Sequence, residues 1–176
     1  MATVDIRPFE PEDLMPLIRL FRDSVRQVAI RDYTQAQVEA WAPDQIDPLA
    51  FGMRFARQTT MVAVESGATA GFATIDERGH VDLLFVHPDH QRRGVGRALL
   101  SAVDAWARGR GLGRLSAHVS FTARPLFEAV GFAALTRRRI EIRGQALENF
   151  RMEKPLQTDG QPSSPSGSDS GLPGAQ

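Results

Sequence analysis

Residues 81–106, VDLLFVHPDHQRRGVGRALLSAVDAW, switch from a strand pattern to a helix pattern within one stretch and constrain the fold more than any other part of the chain. Val81 to Val86 reads as a buried strand, His87-Pro88-Asp89-His90 breaks it, and Val95 opens an amphipathic helix. Val95, Leu99, Ala102, Val103 and Trp106 form the helix's apolar face, opposite Arg97, Ser101, Asp104 and Arg108. Gly94 and Gly96 let backbone approach a ligand, and the unpaired N–H groups of the helix start make the turn an anion site. Arg92, Arg93 and Arg97 add positive charge beside them, which points to a pyrophosphate or several phosphates. A dinucleotide fingerprint needs a third glycine where Leu99 stands, and a P-loop needs Gly-Lys-Ser/Thr, which is absent.

Around this unit the pattern alternates between strand and helix. Residues 3–8 read as a strand, and Pro11-Glu12-Asp13 opens a helix with Leu14, Leu17, Ile18, Phe21, Val25 and Val28 on one face. Pro16 fits there if Asp13 is the cap. Thr34 caps a short helix that ends by Ala42-Pro43. Strands follow at 60–65, 70–75 and 81–86, the first two joined by Ser66-Gly67. The helix of 95–110 leads to a strand at 115–119, a short helix at 125–129, and strands at 133–142 and 146–153. The order β, α, α, β, β, β, α, β, α, β, β predicts an α/β fold with a mixed sheet. Residues 1–156 form the expected domain, and the Ser/Gly/Pro-rich 157–176 the expected disordered tail.

The 176 residues contain no cysteine, which removes disulfides, thiolate metal sites and a cysteinyl acyl intermediate. Formal net charge is zero, so nothing in the overall charge favours nucleic acid or anionic lipid. No apolar run reaches membrane-spanning length and the first residues lack a secretory pattern, so the expectation is a cytoplasmic protein without membrane or nucleic-acid partners. His87 and His90 have a metal-like spacing but no third ligand nearby; they read as turn residues, and no metal is expected.

Gln91, Gly94 and Gly96 match the Gln/Arg-x-x-Gly-x-Gly/Ala signature of the GNAT acetyltransferases at a strand-to-helix junction, and Ala123 to Phe132 (ARPLFEAVGF) resembles that superfamily's later A-x-x-L-Y-x-x-x-G-F block. The order of elements is similar over about residues 3–155. The resemblance implies a mixed, mostly antiparallel sheet with helices on both faces, split between its central strands. It also implies acetyl-CoA as co-substrate, with Leu84, Phe85 and Val86 holding the pantetheine arm and thioester through their backbone. The amides of Arg92, Arg93, Gly94, Val95, Gly96 and Arg97 would hold the pyrophosphate, and Ser120 and Phe127 would lie beside the cofactor. The implied reaction is transfer of acetyl from acetyl-CoA to a small-molecule or peptide amine; an acyl-CoA-binding sensor with little catalysis is the alternative. A homodimer is left open.

An alkyl amine is about one part in a thousand neutral at pH 7, a penalty of roughly 4 to 5 kcal/mol before it can attack a thioester, so a base is expected. Period-2 alternation puts His80, Asp82, Leu84 and Val86 on one strand face, and the resemblance places a base at His80 or Asp82. The alternative makes His80 a turn residue after Gly79 and Asp82 a structural hydrogen-bond acceptor. Backbone N–H near Phe85 is the expected oxyanion donor. Phe127 stands where the family usually has a proton-donating tyrosine, leaving water, Ser120, His118 or Tyr33 as the acid. Tyr33 and Trp41 flank the second helix, as acceptor-site residues or as core aromatics.

Overall fold

The computed structural model describes residues 3–157; the tail expected at 157–176 lies, Gln157 aside, outside them. Among the described residues, seven strands form one sheet in the order β1-β2-β3-β4-β5-β7-β6. They are β1 (Val4–Pro8), β2 (Thr59–Glu65), β3 (Ala68–Ile75), β4 (His80–Val86), β5 (Arg114–Ser120), β6 (Ala133–Ile142) and β7 (Gln145–Pro155). Every neighbouring pair is antiparallel except β4 and β5. Five α-helices accompany them: α1 (Leu14–Gln27), α2 (Gln35–Trp41), α3 (Pro48–Ala56), α4 (Val95–Gly109) and α5 (Arg124–Ala129).

The helices cover both faces and give two cores. Leu17, Phe21 and Val25 of α1, Val38 of α2 and Phe55 of α3 pack on Val62, Phe72 and Leu83, whereas Val95, Leu99 and Val103 of α4 and Phe127 of α5 pack on Ala63, Ala73 and Val119. Local signals explain most boundaries. Thr34 and Gln37 form a reciprocal capping box on α2, Gln37 N–H donating to Thr34 Oγ1 and Thr34 N–H to Gln37 Oε1 at 3.2 and 2.8 Å. Ser66 and Gly67 take φ of 52° and 79°, which closes the β2–β3 hairpin as expected.

Two local expectations change. Asp13 does not cap α1 but the short 3-10 turn before it, accepting from Glu10 N–H at 2.8 Å and holding the Arg7 guanidinium through two bonds of 2.7 Å. The helix α3, absent from the sequence reading, starts at Asp47-Pro48, where Asp47 Oδ1 accepts from Leu49 N–H and proline occupies the first turn.

Candidate active site

The sheet opens where its two parallel strands meet. Only His80 with Ser116 and Val81 with Ala117 are paired between β4 and β5; beyond them the strands separate. The side of β4 that faces this split follows from its pairing with β3. His87 N–H donates to Ala70 carbonyl at 2.8 Å, and Phe72 lies opposite Phe85, so the N–H of Phe85 faces β3 and those of Leu84 and Val86 face the split. Gln91 Nε2 donates to the Val86 carbonyl at 2.8 Å and ties the following turn to the strand end. Of the amides near Phe85, those of Leu84 and Val86 are therefore the ones open to the split.

A one-residue bulge corrects the expected strand face. Thr74 pairs with Leu83 and Ile75 with Val81, which leaves Asp82 unmatched. Beyond the bulge the alternation is reversed: Leu84 and Val86 pack toward α4 with Val81, while Leu83 and Phe85 pack toward α1 and α3. His80 and Asp82 still serve one cavity, but Leu84 and Val86 do not share their face.

That cavity, about 700 Å³, lies on the α1–α3 side and includes His80, Asp82, His118, Tyr33, Trp41 and Phe127 in its lining. A second, of about 500 Å³, is bordered by Gln91, Arg92, Gly94 and Arg97 and extends to Ala123 and Leu126. The two share Trp41, Leu84, Phe85, Ser120 and Ala123, so they meet at the mouth of the split. Gly94 precedes α4 at φ 87°, and Arg92 also adopts positive φ, 64°, which turns the chain tightly into the helix.

Several side chains around the turn are engaged elsewhere. Val95 is buried in the α4 core, and a Cβ on Gly96 would come within 2.6 Å of Leu126 Cδ2, so Gly96 serves close packing. Neither Arg93 nor Val86 lines the second cavity. Arg93 instead lies 3.6 Å from the buried Glu65 carboxylate, which also holds His90 Nδ1 at 2.5 Å. His90 thus anchors the turn to the β2 end. Among the described residues no three His, Cys, Asp or Glu side chains gather to hold a metal ion.

The charged and polar groups of the larger cavity are connected. His80 Nδ1 is 2.9 Å from Ser116 Oγ, fixing the ring through its inner nitrogen, and the His118 ring lies against it with 4.9 Å between centroids. Burial lowers the pKa of His118, reinforced by the positive charge of Arg138, His80 and Arg151. Asp82 is not hydrogen-bonded to His80: both of its oxygens accept from the Arg54 guanidinium at 2.6 Å, and Gln58 Nε2 adds a third bond at 2.9 Å. Burial alone would raise the Asp82 pKa, but Arg54, Gln58 and nearby His80 outweigh it and hold the carboxyl below its ordinary value. Tyr33 Oη donates to the Glu148 carbonyl at 2.7 Å and accepts from Phe121 N–H at 3.1 Å, linking three segments. Burial raises its pKa. Phe127 is buried edge-on against Phe132. Ser120 Oγ accepts from Ala123 N–H at 3.1 Å. Arg54 and Ser116 were missed by sequence reasoning because the one sits 28 residues from its partner in an unexpected helix and the other has no motif.

The Arg54–Asp82 pair supplies a test. Because the Asp82 pKa is lower folded than unfolded, its stabilisation is complete above the unfolded value and is lost as pH falls through the folded one. Arg54→Ala is expected to cost about 1 kcal/mol at neutral pH, modest because Arg54 is partly exposed, with the difference from wild type fading below roughly pH 4. Urea titrations across pH measure it; a constant difference down to strong acid would refute the pairing.

This split mixed sheet, with a glycine-bearing turn opening a helix beside the split, defines an acyl-CoA-type transferase architecture. Residues 29–154 match the family described as acetyltransferase (GNAT) domain. The uncharacterised N-acetyltransferase YafP of Escherichia coli (strain K12) is 34% identical over 152 residues, covering 86% of this chain and 96% of that protein. The crystal structure of a GCN5-related N-acetyltransferase from Rhodopseudomonas palustris is 36% identical, with a TM-score of 0.85 over 89% of this chain and 98% of that one. The PaiA N-acetyltransferase of Thermoplasma acidophilum, solved with coenzyme A, shares the fold at 18% identity and a TM-score of 0.70, covering 87% of this chain and 99% of its own. The chain belongs to the GNAT acetyltransferase family, and its activity is acetyl-CoA-dependent N-acetyl transfer.

Proposed function

We propose that this chain transfers the acetyl group directly to an amine in a sequential complex, with the smaller cavity taking acetyl-CoA and the larger one the acceptor. The observation that carries the reading is the meeting of the two cavities at Leu84, Phe85 and Ser120, where β4 and β5 part. An extended ligand arm entering from the turn at Arg92, Gly94 and Arg97 would reach the split there. The arginines and the N-terminal amides of α4 suit a pyrophosphate, and the open space around Gly94, where a Cβ would meet nothing within 4 Å, suits its close approach.

In this reading the acceptor nitrogen loses its proton to His80, the ring being fixed through Nδ1, and forms the new C–N bond while the thioester C–S bond breaks. The N–H groups of Leu84 and Val86 stabilise the charge that develops on the thioester oxygen. Asp82, committed to Arg54 and with a lowered pKa, contributes negative charge near His80 and holds α3 against the cavity. Tyr33 donates its O–H in a hydrogen bond to the Glu148 carbonyl and acts as a strut. The leaving thiolate takes a proton from water or from Ser120, whose oxygen already accepts one N–H and whose own O–H remains to donate.

Thiol release from acetyl-CoA, followed with an amine panel and mass spectrometry of the product, tests the assignment. Stoichiometric thiol and N-acetylated amine are expected, without transfer of acetyl to the protein. Binding of acetyl-CoA with no amine-dependent thiol release would instead favour the sensor reading.

A further inference from the structure

The larger cavity is lined by three arginines and three acids, and not every arginine has an acid partner. Its three acidic side chains are each engaged: Asp82 by Arg54, Glu148 by Arg137 outside the cavity, and Asp47 as the cap of α3. Of its three arginines, Arg54 is neutralised by Asp82, and Arg143 donates to the Ala40 carbonyl at 2.7 Å. Arg138 has no carboxylate partner among the described residues, although it is half-buried and its charge is felt by His118.

The sheet register places Arg138 in line with the point where the cavities meet. Ser120 lies opposite Asn149 on β7, and Asn149 opposite Arg138 on β6, so the three form one row across three strands. At about 4.8 Å between strands the row is roughly 10 Å long, within reach of an arginine arm folded back along it. Ser120 marks its end at the cofactor cavity, and Arg138 its far end. Between them, Asn149 Oδ1 is buried with no hydrogen-bond partner among the described residues. A buried acceptor of this kind is costly unless a donor reaches it, and an amine N–H is such a donor.

We propose that Arg138 and Asn149 select an acceptor that carries its own carboxylate, a small free amino acid or close analogue, with the carboxylate on the Arg138 guanidinium and the amine at Asn149, toward Ser120 and the split. This rests on the acetyl-transfer reading above. A planar guanidinium fork matches a carboxylate through two parallel hydrogen bonds, and a cavity of about 700 Å³ suits a molecule of that size.

The test compares free L-amino acids with their matched carboxamides in the thiol-release assay, while calorimetry with acetyl-CoA reports the cofactor reading separately. The carboxamide's amine is less basic and so more available at neutral pH, which biases the comparison against the proposal. Free acids are nevertheless expected to exceed their amides by about 10- to 100-fold in kcat/KM, chiefly through KM. Arg138→Gln should collapse that ratio toward one with acetyl-CoA affinity retained, and Arg138→Lys should restore part of it. Amides equal to or better than acids in the wild type, an unchanged ratio in Arg138→Gln, or no turnover of either set by protein that binds acetyl-CoA would each overturn the proposal. Should Arg138→Gln fail to fold, the wild-type ratio decides alone. Failure of the wild type to bind acetyl-CoA would overturn the cofactor reading, and this inference with it.

Discussion

Gly94→Asp is expected to weaken acetyl-CoA binding by at least about 100-fold, a loss of roughly 2.7 kcal/mol, in a protein that still unfolds cooperatively. Gly94 occupies the position before α4 at φ 87°, and a Cβ there meets no atom within 4 Å. The left-handed conformation costs an ordinary L-residue about 1 to 2 kcal/mol, and Asp tolerates it better than most. Its charge is also favourable at a helix N-terminus, so the fold should survive. The same charge competes with pyrophosphate for the α4 amides and repels it; two like unit charges 4 Å apart near a protein surface interact by about 4 kcal/mol. Gly94→Ala is the control, incurring the backbone cost without the charge, and should keep most of the affinity. Gly96 is a poorer probe, since a side chain there strikes Leu126 and approaches Val86 at 3.6 Å and damages packing. Calorimetry with acetyl-CoA alongside a thermal melt gives the answer. Wild-type affinity in folded Gly94→Asp would remove the pyrophosphate from this turn.

The parts of the fold visible in the sequence are those whose information is local. The change of period at residues 81–106, the Ser66-Gly67 hairpin and the Thr34 cap each depend on a few adjacent residues, and each forms at the expected place. Helix α3 had a usable signal, Asp47 followed by Pro48, but it is only nine residues long and includes Gly52. What escaped depends on registration between distant segments. The bulge at Asp82 has no residue signature, because an aspartate fits an unbroken strand as readily, yet it reverses which side chains of β4 face α4. The row Ser120, Asn149 and Arg138 exists only because β7, later in sequence than β6, inserts between β5 and β6. Sequence order alone does not dictate that insertion. The same limit hid Arg54, whose ion pair holds the Asp82 carboxyl below its ordinary pKa and so weakens its case as the base.

His80→Ala is expected to lower turnover by about 10²- to 10⁴-fold with acetyl-CoA affinity nearly unchanged. The range is that of removing a general base, and the case for it is geometric. His80 lies in the larger cavity on the strand that leads into the split, with Nδ1 engaged by Ser116 Oγ, so Nε2 is the nitrogen left to take a proton. Asp82, the other candidate, is tied to Arg54 and Gln58 with its pKa lowered, which makes it a weaker base. A loss of turnover alone would not separate chemistry from damage to the cavity, so the pH profile is the deciding measurement. Wild-type turnover should rise with pH along a limb that His80→Ala lacks. Ser116→Ala, which frees the ring without removing it, should keep the limb at reduced turnover, as a positioning residue would. His118 is the necessary comparison because its ring touches that of His80. Burial and nearby positive charge lower its pKa, so a limb carried by His118 would be displaced to the acid side of the usual imidazole value and would vanish in His118→Ala instead. Retention of both turnover and profile in His80→Ala would give the proton to solvent or to the second imidazole.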